Sequence, residues 1–79
     1  MKHFDETYKT KDQFIASTLY ALGIKLAFSE WEEGKCFLYF KEKEKCEDVI
    51  QKYYSGDLTI NPKKLFDGFV GIKSIIYNR

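Results

Sequence analysis

Asn61 to Tyr77, NPKKLFDGFVGIKSIIY, constrains the fold more than any other stretch of the chain. Asn61 can cap a helix, because its side-chain oxygen accepts a backbone N–H two or three residues on. Pro62 suits the first helical position, where its fixed φ fits and its missing N–H would have had no partner. Leu65, Phe69, Ile72 and Ile76 then recur at spacings of four, three and four, which is one helical stripe. Phe66, Val70 and Tyr77 widen the stripe to well over a third of the circumference. Sixteen residues or so give a helix roughly 24 Å long. A helix this apolar belongs across a sheet or between two other elements.

Gly68 and Gly71 work against it. Each disfavours a helix interior by roughly 1 kcal/mol relative to Ala. Three residues apart, they lie near one face. Three readings follow: close packing of that face on a sheet or second helix, a small-residue dimer contact, or a helix ending near Gly71. In the third, Ile72–Tyr77 forms a strand, which the alternation Ile72, Ser74, Ile76 permits.

The 79 residues make a single domain, 1–79, with 1–6 as a flexible arm. A chain this short buries only about 60–65% of its unfolded surface, so stability is modest unless it oligomerises. The aromatic share is 18%, enough to fill a small core and leave some rings at the surface. The formal net charge of +1 provides no global field for nucleic acid or an anionic membrane, though local patches can act. No apolar run approaches the roughly 20 residues of a membrane span, and no secretory signal is present. Cys36 and Cys46, with no CxxC and no paired His, read as reduced, partly buried thiols. A disulfide between them is geometrically possible but lacks an oxidising context. The expected location is the cytoplasm.

Met1–Glu6 has no periodicity and holds His3, the lone histidine. Thr7–Thr10 can make a short extended segment. Thr10 and Gln13 form a T-x-x-Q capping box, and Asp12 suits the first turn of the helix that follows. Phe14, Ile15, Leu19 and Leu22 make that helix amphipathic over about twelve residues, and Gly23 is a natural terminator. From Ile24 to Trp31 the chain alternates, with Ile24, Leu26 and Phe28 on one face and Lys25, Ala27, Ser29 and Trp31 on the other. Glu32–Lys35, EEGK, is a hairpin turn, and Cys36–Lys41 is the return strand. In that strand Cys36, Leu38 and Phe40 share one face; Phe37, Tyr39 and Lys41 share the other. Lys41–Asp48 opens a second helix with a buried stripe of Cys46, Val49, Ile50 and Tyr53, ended by Gly56. Asp57–Ile60 is a short extended link or edge strand.

The fold class is α+β: a small antiparallel sheet built on one central hairpin, with three helices. The order is helix, strand, strand, helix, short strand or link, helix. A two-stranded hairpin alone is marginal. Either Thr7–Thr10 and Leu58–Ile60 add strands, or a second subunit does.

The inventory for catalysis is thin. There is no histidine outside the arm for a nucleophile pair. Gly68-x-x-Gly71 lacks the rest of any phosphate loop, and no cluster has metal-ligand spacing. The carboxylate pairs Asp5/Glu6, Glu30/Glu32/Glu33 and Glu47/Asp48 all fall in hydrophilic segments. No catalytic residue, cofactor or metal is expected. The second face of the hairpin is more distinctive. Trp31, Phe37 and Tyr39 lie there with Lys25, Lys35 and Lys41 around them. Left uncovered, this is a stacking platform with a cationic margin, as single-stranded nucleic-acid binders use. Covered, it is a monomer core or a protein interface, where Trp and Tyr are common anchors.

Three segments carry a family likeness: Tyr8–Asp12 (YKTKD), Leu19–Leu26 (LYALGIKL) and Tyr53–Tyr77. With them the chain resembles a family of short uncharacterised proteins of bacteria and mobile elements, a domain of unknown function. The most specific part is Gly56–Phe66, GDLTINPKKLF. Gly68 and Gly71 depart from the helix-favouring residues expected there. The resemblance implies segment boundaries but no catalytic residues and no ligand.

The function expected is that of a small non-catalytic interaction domain that self-associates or binds a protein partner. The alternatives are a single-stranded nucleic-acid-binding module using the aromatic sheet face, and a mobile-element inhibitor of a host enzyme, for which small size is the only hint.

Overall fold

The computed structural model of the chain describes residues 6–77. The expected arm therefore lies outside the described residues apart from Glu6. Six elements follow in order: β1 (Tyr8–Thr10), α1 (Gln13–Ala21), β2 (Leu26–Glu32), β3 (Lys35–Phe40), α2 (Lys43–Ser55) and α3 (Pro62–Tyr77). The α+β class holds, with three helices and a three-stranded antiparallel sheet. The strand order is β1-β3-β2, so β3 alone is central and β2 of the hairpin is an edge. Thr7–Thr10 supplies the third strand: Tyr8 pairs with Phe40 and Thr10 with Leu38. Leu58–Ile60 forms no strand.

The hairpin turns on Glu33 and Gly34, with φ of 51° and 80°. Two positive φ values in a two-residue loop match the right-handed twist of the strands they join. Along β3 the alternation is sharp. Cys36, Leu38 and Phe40 are buried, while Lys35, Phe37 and Tyr39 are more open. The buried face meets Ile15, Ala16 and Leu19 of α1, Cys46 of α2, and Ile72 and Ile76 of α3 in one core. The helices therefore form a single layer on one side of the sheet.

Local chemistry sets the helix ends. The N-cap of α1 is Asp12, not Thr10: its carboxylate accepts the N–H of Phe14 at 2.8 Å and of Ile15 at 3.1 Å. Thr10 Oγ1 accepts the Asp12 N–H at 3.1 Å, so the hydroxyl holds the cap rather than being it. A carboxylate beside the positive helix end wins this competition, because charge-assisted hydrogen bonds are the stronger. The helix is nine residues long rather than about twelve. At its far end Gly23 N–H reaches Tyr20 O and Ile24 N–H reaches Leu19 O, both at 3.1 Å. This is a Schellman closure; Gly23 takes φ of 89°, and Ile24 is buried beside Leu19. The start of α3 follows the sequence: Asn61 Oδ1 accepts from Lys63 N at 2.8 Å and Lys64 N at 3.3 Å. Helix α3 then runs unbroken to Tyr77, so Ile72–Tyr77 is not a strand.

Helix α1 is the hub. Ile15 to Leu19 are five consecutive buried residues, more than a full turn, so neighbours enclose the helix on several sides. Val49, Ile50 and Tyr53 of α2 meet Ile15, Thr18 and Leu19 on one flank. The glycines of α3 meet the other. Ser17 and Thr18 are satisfied within α1, donating to Gln13 O at 2.6 Å and Phe14 O at 2.9 Å. A Cβ on Gly68 would sit 2.7 Å from the backbone oxygen of Ser17 and 3.1 Å from the Cβ of Ala21. Gly68 is thus the point at which the two helices approach, which is the close-packing reading of the glycine pair. At Gly71 the same atom would meet the ring of Tyr20 at 2.8 Å.

The two glycines should therefore respond differently to alanine. Gly68→Ala gains about 1 kcal/mol of helix propensity, but must displace backbone at an overpacking penalty of about 1–3 kcal/mol. A net loss of up to about 2 kcal/mol is expected in urea unfolding. Gly71→Ala needs only a partly exposed ring to swing, so its expected effect lies between neutral and about 1 kcal/mol stabilising. Equal effects would contradict a backbone approach at Gly68.

Candidate functional site

Two surfaces carry unusual chemistry. The first is the outer face of the sheet, opposite the helices. Directly paired residues share a face. The register pairs Lys9 with Tyr39, Phe28 with Tyr39, Glu30 with Phe37, and Glu32 with Lys35. Phe28 and Tyr39 stack at 4.3 Å between ring centroids, 15° from parallel. The Lys9 ammonium lies 4.4 Å from the Phe37 ring and 5.7 Å from that of Tyr39.

The expected platform is thus only partly assembled. Trp31 is not on this face: it pairs with Cys36 on the core side and packs against the core. The reason is a β-bulge between Leu26 and Phe28. One extra residue, Ala27, reverses the alternation, so Phe28 turns outward and Trp31 inward. Phe37 and Tyr39 stay together, and Lys35 keeps its place at the turn. Lys41 N–H donates to Lys25 O at 2.9 Å, so that pair lies side by side at the opposite end of the hairpin. Six residue steps apart along the chain, Lys35 and Lys41 stand roughly 20 Å from each other. They do not form one margin. The sequence reading missed Phe28, hidden by the bulge, and Lys9. The alternation of Tyr8, Lys9 and Thr10 could have placed Lys9 outward once β1 was paired.

Acidic groups balance the basic ones here. Lys9 Nζ is 3.9 Å from Glu32 Oε1, and the Tyr39 hydroxyl donates to Glu30 Oε1 at 3.3 Å. The face is largely self-satisfied.

The second surface is the outer side of α3. Phe66, Val70 and Tyr77 are 65%, 50% and 69% exposed. Phe14 of α1, also 65% exposed, stacks on Phe69 at 5.7 Å beside them. Lys73 Nζ stands 5.5 Å from the Phe69 ring. Phe66 and Val70 are one turn apart, and Tyr77 lies two turns further on past Lys73, so the three share one helix face.

Cys36 and Cys46 are buried and form no disulfide. Cys46 Sγ donates to Lys41 O at 3.4 Å. Burial pushes the Cys46 thiol above its ordinary range, with Glu42 and then Glu47 adding to it. Burial also raises the Tyr8 hydroxyl, reinforced by Tyr54. A raised thiol pKa means little thiolate and hence a weak nucleophile. Among the described residues no group of His, Cys, Asp and Glu could hold a metal ion, and no helix is long and apolar enough to cross a membrane. A wide-mouthed hollow of about 410 Å³, lined by Tyr20, Gly23, Ile24, Lys25, Leu26 and Ile75, presents Lys25 as its one charged side chain.

The Phe28–Tyr39 stack should be measurable. A double-mutant cycle with Phe28→Ala and Tyr39→Ala should give a coupling of about 0.5–1 kcal/mol in chemical unfolding. A coupling near zero would mean that the rings do not meet, and with them the inferred bulge register would fail.

A search of the curated proteins and of the solved structures finds no match. One family does match, and it spans residues 5–78, nearly the whole chain. The chain therefore belongs to the family described as a domain of unknown function, DUF5659.

Proposed function

We propose that the chain is a small non-catalytic interaction domain that self-associates or docks on a protein partner through the outer side of α3. One observation carries this reading: the row of Phe66, Val70 and Tyr77, flanked by Phe14, lies open to solvent. Single exposed apolar side chains are ordinary, but several large ones on one helix face are a common mark of an interface. Aromatic side chains also dominate interface energetics. The two buried thiols fit a reducing, cytoplasmic compartment, where disulfides are rare.

Single-stranded nucleic acid on the outer sheet face is the second reading. Its support is Lys9 above Phe37 and Tyr39, next to the Phe28 stack. Against it stand Glu30 and Glu32 on the same face, which repel phosphate.

Sedimentation equilibrium from about 1 µM to about 500 µM tests the first reading, a range that covers weak association. The mean mass should rise with concentration. Phe66→Ser with Val70→Ser should hold the chain monomeric, while changing its stability by no more than about 0.5 kcal/mol per surface site. A wild-type chain that stays monomeric throughout and captures no partner would sink the proposal.

A further inference from the structure

The open side of α3 has a second regularity. Lys63, Phe66, Val70, Lys73 and Tyr77 follow at steps of three, four, three and four. Steps of three and four keep these residues on one side of α3, along the rows on which a second helix packs. Another helix is the occupant these rows fit. This side holds two lysines among three apolar side chains, and those lysines decide which helix fits.

We propose that the occupant is α3 of a second copy, packed antiparallel about a two-fold axis at Val70. This rests on the self-association reading and names its geometry. A parallel two-fold pair would set Lys73 beside Lys73 and Lys63 beside Lys63, so that like charges meet on both sides of Val70. The antiparallel pair sets residues on opposite sides of Val70 against each other. Lys73 then falls at the level of Phe66 and Asp67 of the second copy, and Lys63 at the level of its Tyr77. Each cation meets a ring, and the symmetry makes each such contact occur twice. The Lys73 ammonium already leans over a ring, that of Phe69 within its own chain. Val70 meets its own copy at the centre, where a branched apolar side chain packs without a charge. Antiparallel helices also set opposite dipole ends together.

The scale is modest. A helix face roughly 24 Å long and 10 Å wide offers far less than the ~800 Å² per partner of a standard interface. A micromolar dimer is expected rather than a nanomolar one.

Engineered disulfides in the full chain read the geometry directly, with the wild-type chain as the control for Cys36 and Cys46. Under mild oxidation at a concentration where the chain is dimeric, Val70→Cys should cross-link to itself. Tyr77→Cys alone should not, whereas a mixture of Tyr77→Cys with Lys63→Cys should give the mixed dimer. Lys73→Ala should weaken dimerisation about 5- to 30-fold, because the cation–ring contact is lost twice. Self-cross-linking of Tyr77→Cys would establish a parallel pair and overturn the proposal. A dimer in which none of these cysteines cross-links would place the interface elsewhere and overturn it too, leaving self-association standing. A chain that remains monomeric overturns both.

Discussion

The approach of α3 to α1 at Gly68 governs the rest of the molecule. A side chain there would run into the Ser17 carbonyl oxygen, so only glycine lets the helix axes come this close. That proximity brings Ile72 and Ile76 over the sheet beside Leu38 and Phe40. It also encloses α1 for more than a turn, and α1 in turn supports α2 through Ile15, Thr18 and Leu19. A short chain has little surface to bury, so one dense contact of this kind matters more than it would in a large domain. The helix-propensity cost of two glycines is the counterpart of that packing.

The start of α3, the end of α1, the hairpin turn and the class of fold were legible because each rests on local chemistry. Asn61-Pro62 starts α3, and Gly23 and Gly34 close α1 and turn the hairpin at positive φ, which glycine takes without penalty. What was not legible depends on pairing. The bulge at Ala27 carries no compositional mark, yet it reverses every side chain after it and moves Trp31 from the outer face to the core side. The cap of α1 was misplaced by two residues, because Thr10 and Asp12 both offer acceptors and only the folded geometry ranks them. The role of Tyr8–Thr10 as a strand follows from its pairing with β3, not from its three residues.

The candidate site followed the same logic. Phe37 and Tyr39 could be placed from the alternation of β3, which has no bulge. Phe28 and Lys9 could not, since each reaches that face through a neighbouring strand. The face they build satisfies itself by a stacked pair, a cation over a ring, the Lys9–Glu32 ion pair and the hydrogen bond from the Tyr39 hydroxyl to Glu30. The outer side of α3 is settled at its margins, by the Phe14–Phe69 stack, Lys73 over Phe69 and the Lys63–Asp67 ion pair, while Phe66, Val70 and Tyr77 stay exposed. Its apolar side chains were visible in the sequence as a widening of the stripe, but which flank faces the core depends on where Gly68 points.

The most direct test of Gly68 as the organising contact is native-state hydrogen exchange, which reads the stability of each backbone amide. If α3 is held as proposed, amides at its centre, around Ile72, exchange with the same opening free energy as those of Leu19 in α1 and Leu38 in β3. All three would then report global unfolding. Exchange around Ile72 through a separate, lower-energy opening, with Leu19 and Leu38 still protected, would make α3 a peripheral element and contradict the account.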